Sequence, residues 1–482
     1  MGIEVKTKFC IRFRPEGPEL GSKREIVSPY SAQTIGEVAF LGRDELNQAL
    51  DFAEANIERV KRWPCHERAR VLTTLAAKIQ EHREGLAYGI SDEGGKPYKD
   101  ALIEVDRAAQ TSLLAAEEAK RLRGRTVPMG ATASSEDRLA MTIREPIGVV
   151  LAYSAFNHPL NLIAHQVCPA IAAGCPVLVK PAPTTPLSCM RMMALLAESG
   201  LPDNFVIPIP CSNEDAELLA RDSRIALLSF VGSSKIGWKL RSHLAPGVRC
   251  VLEHGGVAPV IVDDSAYLSM AIEGITKGAF YHAGQVCVSV QRVYVHENIF
   301  REFTEALVAR VNELVVGDPT SIATDVGPLI RPEAVERVRA WVEQADTAGA
   351  RILCGGRPLK HQSYAPTVVV DVPEDCKLMR EEIFGPVLAV NRFSDFNALI
   401  EAVNAPKSCF QAGFYSESLD RSLMLTEGLN VSALFLNDHS AFRVDWMPFG
   451  GHEESGLSLG GVGEAMKDLT REKLLVLRRA SG

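Results

Sequence analysis

Ile147-Gly148-Val149-Val150-Leu151-Ala152-Tyr153 begins the stretch that decides the fold, and Pro176-Val177-Leu178-Val179-Lys180 follows it after one helical interval. Both runs are short, apolar and rich in Val, as expected of strands buried on both faces. Gly174 stands where the helix between them should stop, because glycine readily takes the left-handed conformation of a helix end. The same texture returns at Phe205–Ile209, Ile225–Phe230 and Val260–Asp263. Apolar strands separated by crossovers of about a dozen residues or more argue for a parallel sheet covered by helices.

On the N-terminal side, Leu46, Leu50, Ala53, Ile57 and Val60 recur at helical spacing from Arg43 to Trp63, and Pro64 ends the pattern. A second helix is expected from about Lys96 to Arg121. Arg125–Ser135 is short of large apolar residues and reads as an arm leaving the core. Beyond Leu252, the runs Gln291–His296, Pro386–Phe393, Ala412–Tyr415 and Ala433–Leu436 predict a second α/β domain. Lys473–Arg478 is strand-like, with apolar Leu474–Leu477, and two readings stand: it pairs with another subunit, or it edges a sheet of its own chain.

A chain of 482 residues, 46% hydrophobic and 23% charged, is long enough for two or three domains. A net charge of −8 without a Lys/Arg block gives no positive field for nucleic acid. Met1–Cys10 lacks the apolar core of a secretory signal and no later stretch approaches a membrane span, so the expected site is the cytoplasm. Lys6 stands where a myristoylation motif needs Ser or Thr. Eleven cysteines without a Cys-x-x-Cys pair or a Cys/His cluster argue for reduced thiols and no metal.

Several residues invite chemistry, each with a plainer alternative. Cys287, in Gly284-Gln285-Val286-Cys287, falls on a loop and is a nucleophile candidate, whereas Cys168, Cys175 and Cys189 lie among apolar neighbours as small hydrophobes. Glu253, in Leu252-Glu253-His254-Gly255-Gly256, is either a general base near a buried site or a strand-end acid meeting solvent. Phe230-Val231-Gly232-Ser233-Ser234-Lys235-Ile236-Gly237 offers backbone N–H groups to a phosphate at a helix start, or simply connects. Lys180, at a strand end, faces a ligand crevice or solvent. Asn157, in Phe156-Asn157-His158-Pro159, is an oxyanion donor or a helix cap.

Taken in order, these segments, with Glu381-Glu382-Ile383-Phe384-Gly385-Pro386 and Pro448-Phe449-Gly450-Gly451, resemble the aldehyde dehydrogenase superfamily along essentially the whole chain. The resemblance implies a Rossmann-like cofactor domain (1–120 and 142–251), an α/β catalytic domain (252–449) and a small β oligomerisation element (121–141 and 462–482). It implies homodimers or homotetramers, a small aldehyde substrate and an NAD or NADP cofactor. Cys287 would attack the aldehyde, Asn157 would hold the oxyanion and Glu253 would activate the hydrolytic water. Lys180 would bind the adenosine ribose, Gly232 and Ser233 the pyrophosphate and Glu382 the nicotinamide ribose, with Phe384 beside the nicotinamide.

Departures from the family pattern bear on specificity. Pro183 replaces the Glu that repels a 2′-phosphate in many NAD-preferring members, which favours NADP. His254 replaces the usual Leu and His158 the usual Phe or Tyr; each is a polar contact for substrate or a packed, hydrogen-bonded histidine. Ser455-Gly456-Leu457-Ser458-Leu459-Gly460-Gly461 lacks the common Arg-Glu pair. Arg107 and Arg443 fall on segments that line the substrate tunnel in the family, which selects a short aldehyde carrying a carboxylate, phosphonate or sulfonate. The similarity is to the lactaldehyde, succinic semialdehyde and phosphonoacetaldehyde branch. Otherwise the arginines form ion pairs, Arg107 with Asp106 or Glu104 and Arg443 with Asp445. Two other readings remain: a CoA-acylating semialdehyde dehydrogenase, against which Glu253 argues, and a catalytically silent relative, against which both Cys287 and Glu253 argue.

Overall fold

The computed structural model describes residues 7–9, 20–408 and 410–479. The alternation beginning at Ile147 forms a six-stranded sheet in the order Gly456–Leu457, Arg249–Glu253, Ile225–Val231, Val149–Tyr153, Val177–Lys180, Val206–Pro208. All neighbours are parallel except Gly456–Leu457, which runs antiparallel to Arg249–Glu253. Numbered along the chain, the five parallel strands lie in the order 3-2-1-4-5. The winding therefore reverses between Val149–Tyr153 and Ile225–Val231, and the loops leaving their carboxyl ends diverge to open a ligand crevice. Helix Asn161–Ala173 ends on Gly174 at φ +88°, as its position in the sequence predicts.

A second sheet has seven strands in the order Arg351–Cys354, Thr367–Val370, Val387–Phe393, Val290–His296, Ala258–Val262, Gln411–Tyr415, Ala433–Leu436. Only Arg351–Cys354 is antiparallel. Every residue of Val149–Tyr153 and Ala258–Val262 is buried, which is why both read as unbroken apolar runs. The helix expected over Arg43–Trp63 is interrupted: Arg43–Ala55 and Ile57–Lys61 flank Asn56, whose side-chain amide donates back to the Phe52 carbonyl at 2.7 Å.

Thr470–Arg478 pairs along its whole length with Arg138–Pro146, which also pairs with Thr126–Val127. The strand Arg138–Pro146 runs past position 141, and Val462–Asp468 is a helix that precedes the terminal strand. Val462, Met466 and Leu469 are buried in the same core as helices Tyr98–Arg121 and Asn161–Ala173, so their apolar spacing belongs to the large domain. Gly456–Leu457, beyond the catalytic segment, returns to pair with the first sheet. Among the described residues, no helix is long and apolar enough to cross a membrane.

Candidate active site

Helix Leu268–Phe280 gives way to the turn Tyr281–Gly284, in which His282, Ala283 and Gly284 follow one another at φ 47°, 54° and 70°. Left-handed non-glycine residues cost about 1–2 kcal/mol each and persist only where their surroundings hold them. Gln285, fully buried, does so. Its side-chain amide donates to the His282 and Pro328 carbonyls, both at 3.3 Å, and its Oε1 accepts from Ile330 N at 3.0 Å. Gly284 has no room for a side chain: a Cβ there would lie 2.2 Å from the Gly385 carbonyl oxygen.

Cys287 emerges beyond this clamp, partly accessible and packed near Val286, Val288, Phe410 and Phe449. Burial pushes its thiol up to about 12, the Glu382 and Glu253 carboxylates add to the rise, and the Arg443 guanidinium opposes it. Asn157 is buried, and its Nδ2 donates to the Gln285 carbonyl at 2.9 Å, which ties it to the cysteine loop. A primary amide has two hydrogens, so a second donor remains for a ligand. Glu253 ends its strand with Oε1 against Gly460, where a Cβ would lie 2.4 Å away. Burial raises its pKa and Arg443 partly counters the rise. A cavity lined by Glu253, His165, Gln166, Ser229 and Gly460 leaves space behind the carboxylate.

The groups expected at a cofactor come from both sheets: Lys180, Gly232 and Ser233 from the strand ends of the first, Glu382 and Phe384 from the segment leading into Val387–Phe393 of the second. Ser233 is the N-cap of helix Ser234–Ser242, yet its side chain makes no capping hydrogen bond. Its hydroxyl and the first N–H groups of the helix are thus unspent toward an anion. Gly232 leaves no room for a Cβ, which would lie 2.8 Å from the Phe230 ring. Lys180 is buried beside Tyr153, with Nζ 3.1 Å from Asn213 Oδ1, and burial lowers its pKa. Pro183, half-buried, follows it without a carboxylate. Glu382 lies against Gly255, where a Cβ would be 1.7 Å from its Oε1; that oxygen is buried without a hydrogen-bond partner. Burial pushes Glu382 up to about 8, opposed by Arg337. Gln291 fixes the segment by donating to the Glu381 carbonyl at 2.7 Å and accepting from Ile383 N at 2.9 Å. Phe384, at φ 48°, meets Phe156 edge-on with centroids 5.7 Å apart.

Arg107 does not pair with Asp106 or Glu104. Asp106 binds Arg83 and Glu104 binds Lys96, while Arg107 forms a two-point pair with Asp445 at 3.0 and 2.7 Å. The same carboxylate takes His165 at 2.8 Å and Asn161 at 3.2 Å; burial opposes its ionisation, but His165 and Arg107 hold it far below the usual range. Arg443 stands only 3.9 Å from Asp445 and its guanidinium lies 3.5 Å from the Phe449 ring centroid, with Nη1 buried and unpartnered. Burial lowers its pKa to about 10, with Arg107 adding to the fall. His158 is engaged through Nδ1 by Lys96 at 2.8 Å, and burial and that ammonium lower it to about 4. His254 is packed under the Gly232 turn rather than facing the cysteine.

Cys287, Glu253, Asn157, Arg443 and Glu382 thus gather at one place, while Lys180 and Pro183 stand along the crevice. Sequence reasoning missed Gln285 as the clamp, Asp445 as the centre of the arginine cluster and the buried pair of Lys96 with Glu104. For the last no spacing signal existed: Lys96 precedes the helix Tyr98–Arg121, on which Glu104 lies, and only the fold brings the two together. Among the described residues, no group of three or more His, Cys, Asp or Glu is arranged to hold a metal.

The fold and this arrangement define an α/β dehydrogenase. The chain belongs to the aldehyde dehydrogenase family, whose model matches residues 18–475. It is 36% identical over 457 residues to a 3-sulfolactaldehyde dehydrogenase of Priestia aryabhattai, covering 94% of this chain and 95% of that one. The structure of aldehyde dehydrogenase 21 from Physcomitrella patens, in complex with the reaction product succinate, superposes with a TM-score of 0.95 at 35% identity, covering 98% of this chain and 99% of that one. A glyceraldehyde-3-phosphate dehydrogenase from Methanocaldococcus jannaschii, complexed with NADP, superposes at 0.90 with 35% identity, covering 94% and 98%.

Proposed function

We propose that this chain oxidises a short anionic aldehyde, a semialdehyde or a sulfo-, phosphono- or hydroxylated relative, to its carboxylic acid with NADP or NAD. The observation that carries the reading is Arg443, a buried cation with an unspent donor among Cys287, Glu253 and Arg107. A buried guanidinium without a full partner favours an anionic ligand, whose charge and acceptor oxygens satisfy both its field and its N–H groups. The relatives named for sulfolactaldehyde and bound to succinate act on or release molecules of that kind.

The Cys287 thiolate forms a bond from Sγ to the aldehyde carbon, and the carbonyl π pair moves to oxygen, where the Asn157 amide and the Cys287 backbone N–H donate to it. A bound nicotinamide supplies the acceptor for the hydride leaving that carbon, after which the group on Sγ is a thioester. Glu253 then takes a proton from water, oxygen bonds to the acyl carbon, and Sγ departs as thiolate. The unpartnered Glu382 oxygen suits a sugar hydroxyl, and the Gly232–Ser233 turn and Lys180 suit the pyrophosphate and adenosine ribose. Arg443→Ala should lower kcat/KM for succinic semialdehyde about tenfold more than for a neutral aldehyde of equal length, and Arg107→Ala should do so less because Asp445 shares that side chain. Equal losses on both aldehydes reject the anionic substrate.

Without a carboxylate at Pro183, nothing there repels a 2′-phosphate, so NADP is accepted and modestly favoured. Initial rates with both cofactors should show this, and Pro183→Glu should move the ratio toward NAD by roughly tenfold. A clear preference of the unaltered enzyme for NAD contradicts it. Leu474, Leu475, Val476 and Leu477 are 44–56% exposed on both faces of the terminal strand, which supports assembly of subunits through it as a homodimer or homotetramer.

A further inference from the structure

The geometry points to His254 as a positioning residue for the cofactor's pyrophosphate, an inference that rests on the Gly232–Ser233 turn being the pyrophosphate site. Residues 253 and 254 bracket the Gly232 peptide group. Gly232 N–H donates to the Glu253 carbonyl at 3.1 Å, and the His254 ring, through Nδ1, lies 2.9 Å from the Gly232 carbonyl. A carbonyl oxygen only accepts, so Nδ1 carries the hydrogen and Nε2 is left as a bare acceptor. Nε2 is indeed buried with no partner, and burial lowers the His254 pKa, so the neutral form with hydrogen on Nδ1 is retained.

The ring is fixed on every side. Phe230 and Trp238 meet it at tilted angles, with centroids 5.8 and 6.0 Å away. Helix Ser234–Ser242 passes over it at Gly237, where a Cβ would lie 2.0 Å from the His254 ring. Backbone N–H of His254 donates to the Ser455 carbonyl at 3.0 Å, and Trp238 Nε1 donates to the Glu454 carbonyl at 3.2 Å. His254 therefore joins the anion-facing turn, the start of the following helix and the end of the strand bearing Glu253 into one hydrogen-bonded unit. An apolar side chain would fill the same space but would leave the half-buried Gly232 carbonyl without its fixed donor. The turn would then find another partner by shifting, at the expense of the N–H groups aimed at the phosphates.

His254→Leu and His254→Asn distinguish this role from packing, because the Asn amide can reproduce the Nδ1 donor and Leu cannot. The dissociation constant of NADPH, measured by fluorescence without substrate, is expected to rise roughly five- to tenfold in the Leu variant and to stay within about twofold in the Asn variant. Adenosine 5′-diphosphoribose, which keeps the pyrophosphate and lacks nicotinamide, should lose the same factor. Equal weakening in both variants, or no weakening in the Leu variant whatever its thermal midpoint, overturns the inference. Failure of the unaltered protein to bind NADPH or NADH instead removes the cofactor reading itself.

Discussion

Cys287→Ala loses roughly 10⁴-fold or more of kcat/KM for aldehyde oxidation and forms no burst of reduced cofactor, while NADPH still binds. The size follows from what the side chain does: without Sγ no covalent adduct forms, and hydride must leave a hydrated aldehyde that nothing holds. The loss is specific to this position. Cys168 and Cys175 are fully buried thiols held by Ser112 at 3.5 Å and the Leu469 carbonyl at 3.2 Å, and neither touches the cluster around Glu253. Replacing Cys168 by Ala should leave turnover within a few-fold. The Cys287 thiol, pushed up to about 12, reacts slowly with iodoacetamide at neutral pH, and the rate climbs as pH rises toward that value because only the thiolate attacks. Less than a tenfold loss in Cys287→Ala assigns the nucleophile elsewhere.

The parallel strands were legible because burial on both faces writes itself as unbroken apolar runs, and glycine at 174 marked where the helix between two of them must stop; the order of the strands was not legible. Roles within the site were legible only through resemblance. Glu253 and a surface acid look alike in sequence; what separates them is a carboxylate confined against Gly460 and raised by burial, a contact between residues more than two hundred positions apart. The arginines show the same limit more sharply. Sequence neighbours offered Arg107 two nearby acids, yet its partner is Asp445, brought in by a loop from the far end of the chain. The terminal strand was legible as the apolar run Leu474–Leu477, but its pairing with Arg138–Pro146 of the same chain was not, because the two segments lie more than three hundred positions apart.

Glu253→Gln separates the two halves of the cycle. The amide keeps the shape of the side chain against Gly460 but accepts no proton, so water attack on the thioester slows and steady-state turnover falls by roughly 10²–10³-fold. Oxidation itself should survive, since the Glu253 charge opposes ionisation of the Cys287 thiol and its removal makes the thiolate easier to form. One equivalent of reduced cofactor per site should therefore appear in a burst before the slow phase. The pH dependence has a definite sign. Burial raises the Glu253 pKa, so kcat of the unaltered enzyme falls as pH drops through that raised value and the base becomes protonated; the residual kcat of the Gln variant lacks this acid limb. Coenzyme A completes the argument, because a thiol that can attack the acyl group without Glu253 should restore turnover of the variant as acyl-CoA, whereas the unaltered enzyme releases the free acid. Acyl-CoA as the main product of the unaltered enzyme, or a variant that turns over at full rate without a burst, rejects Glu253 as the base that directs the acyl group to water.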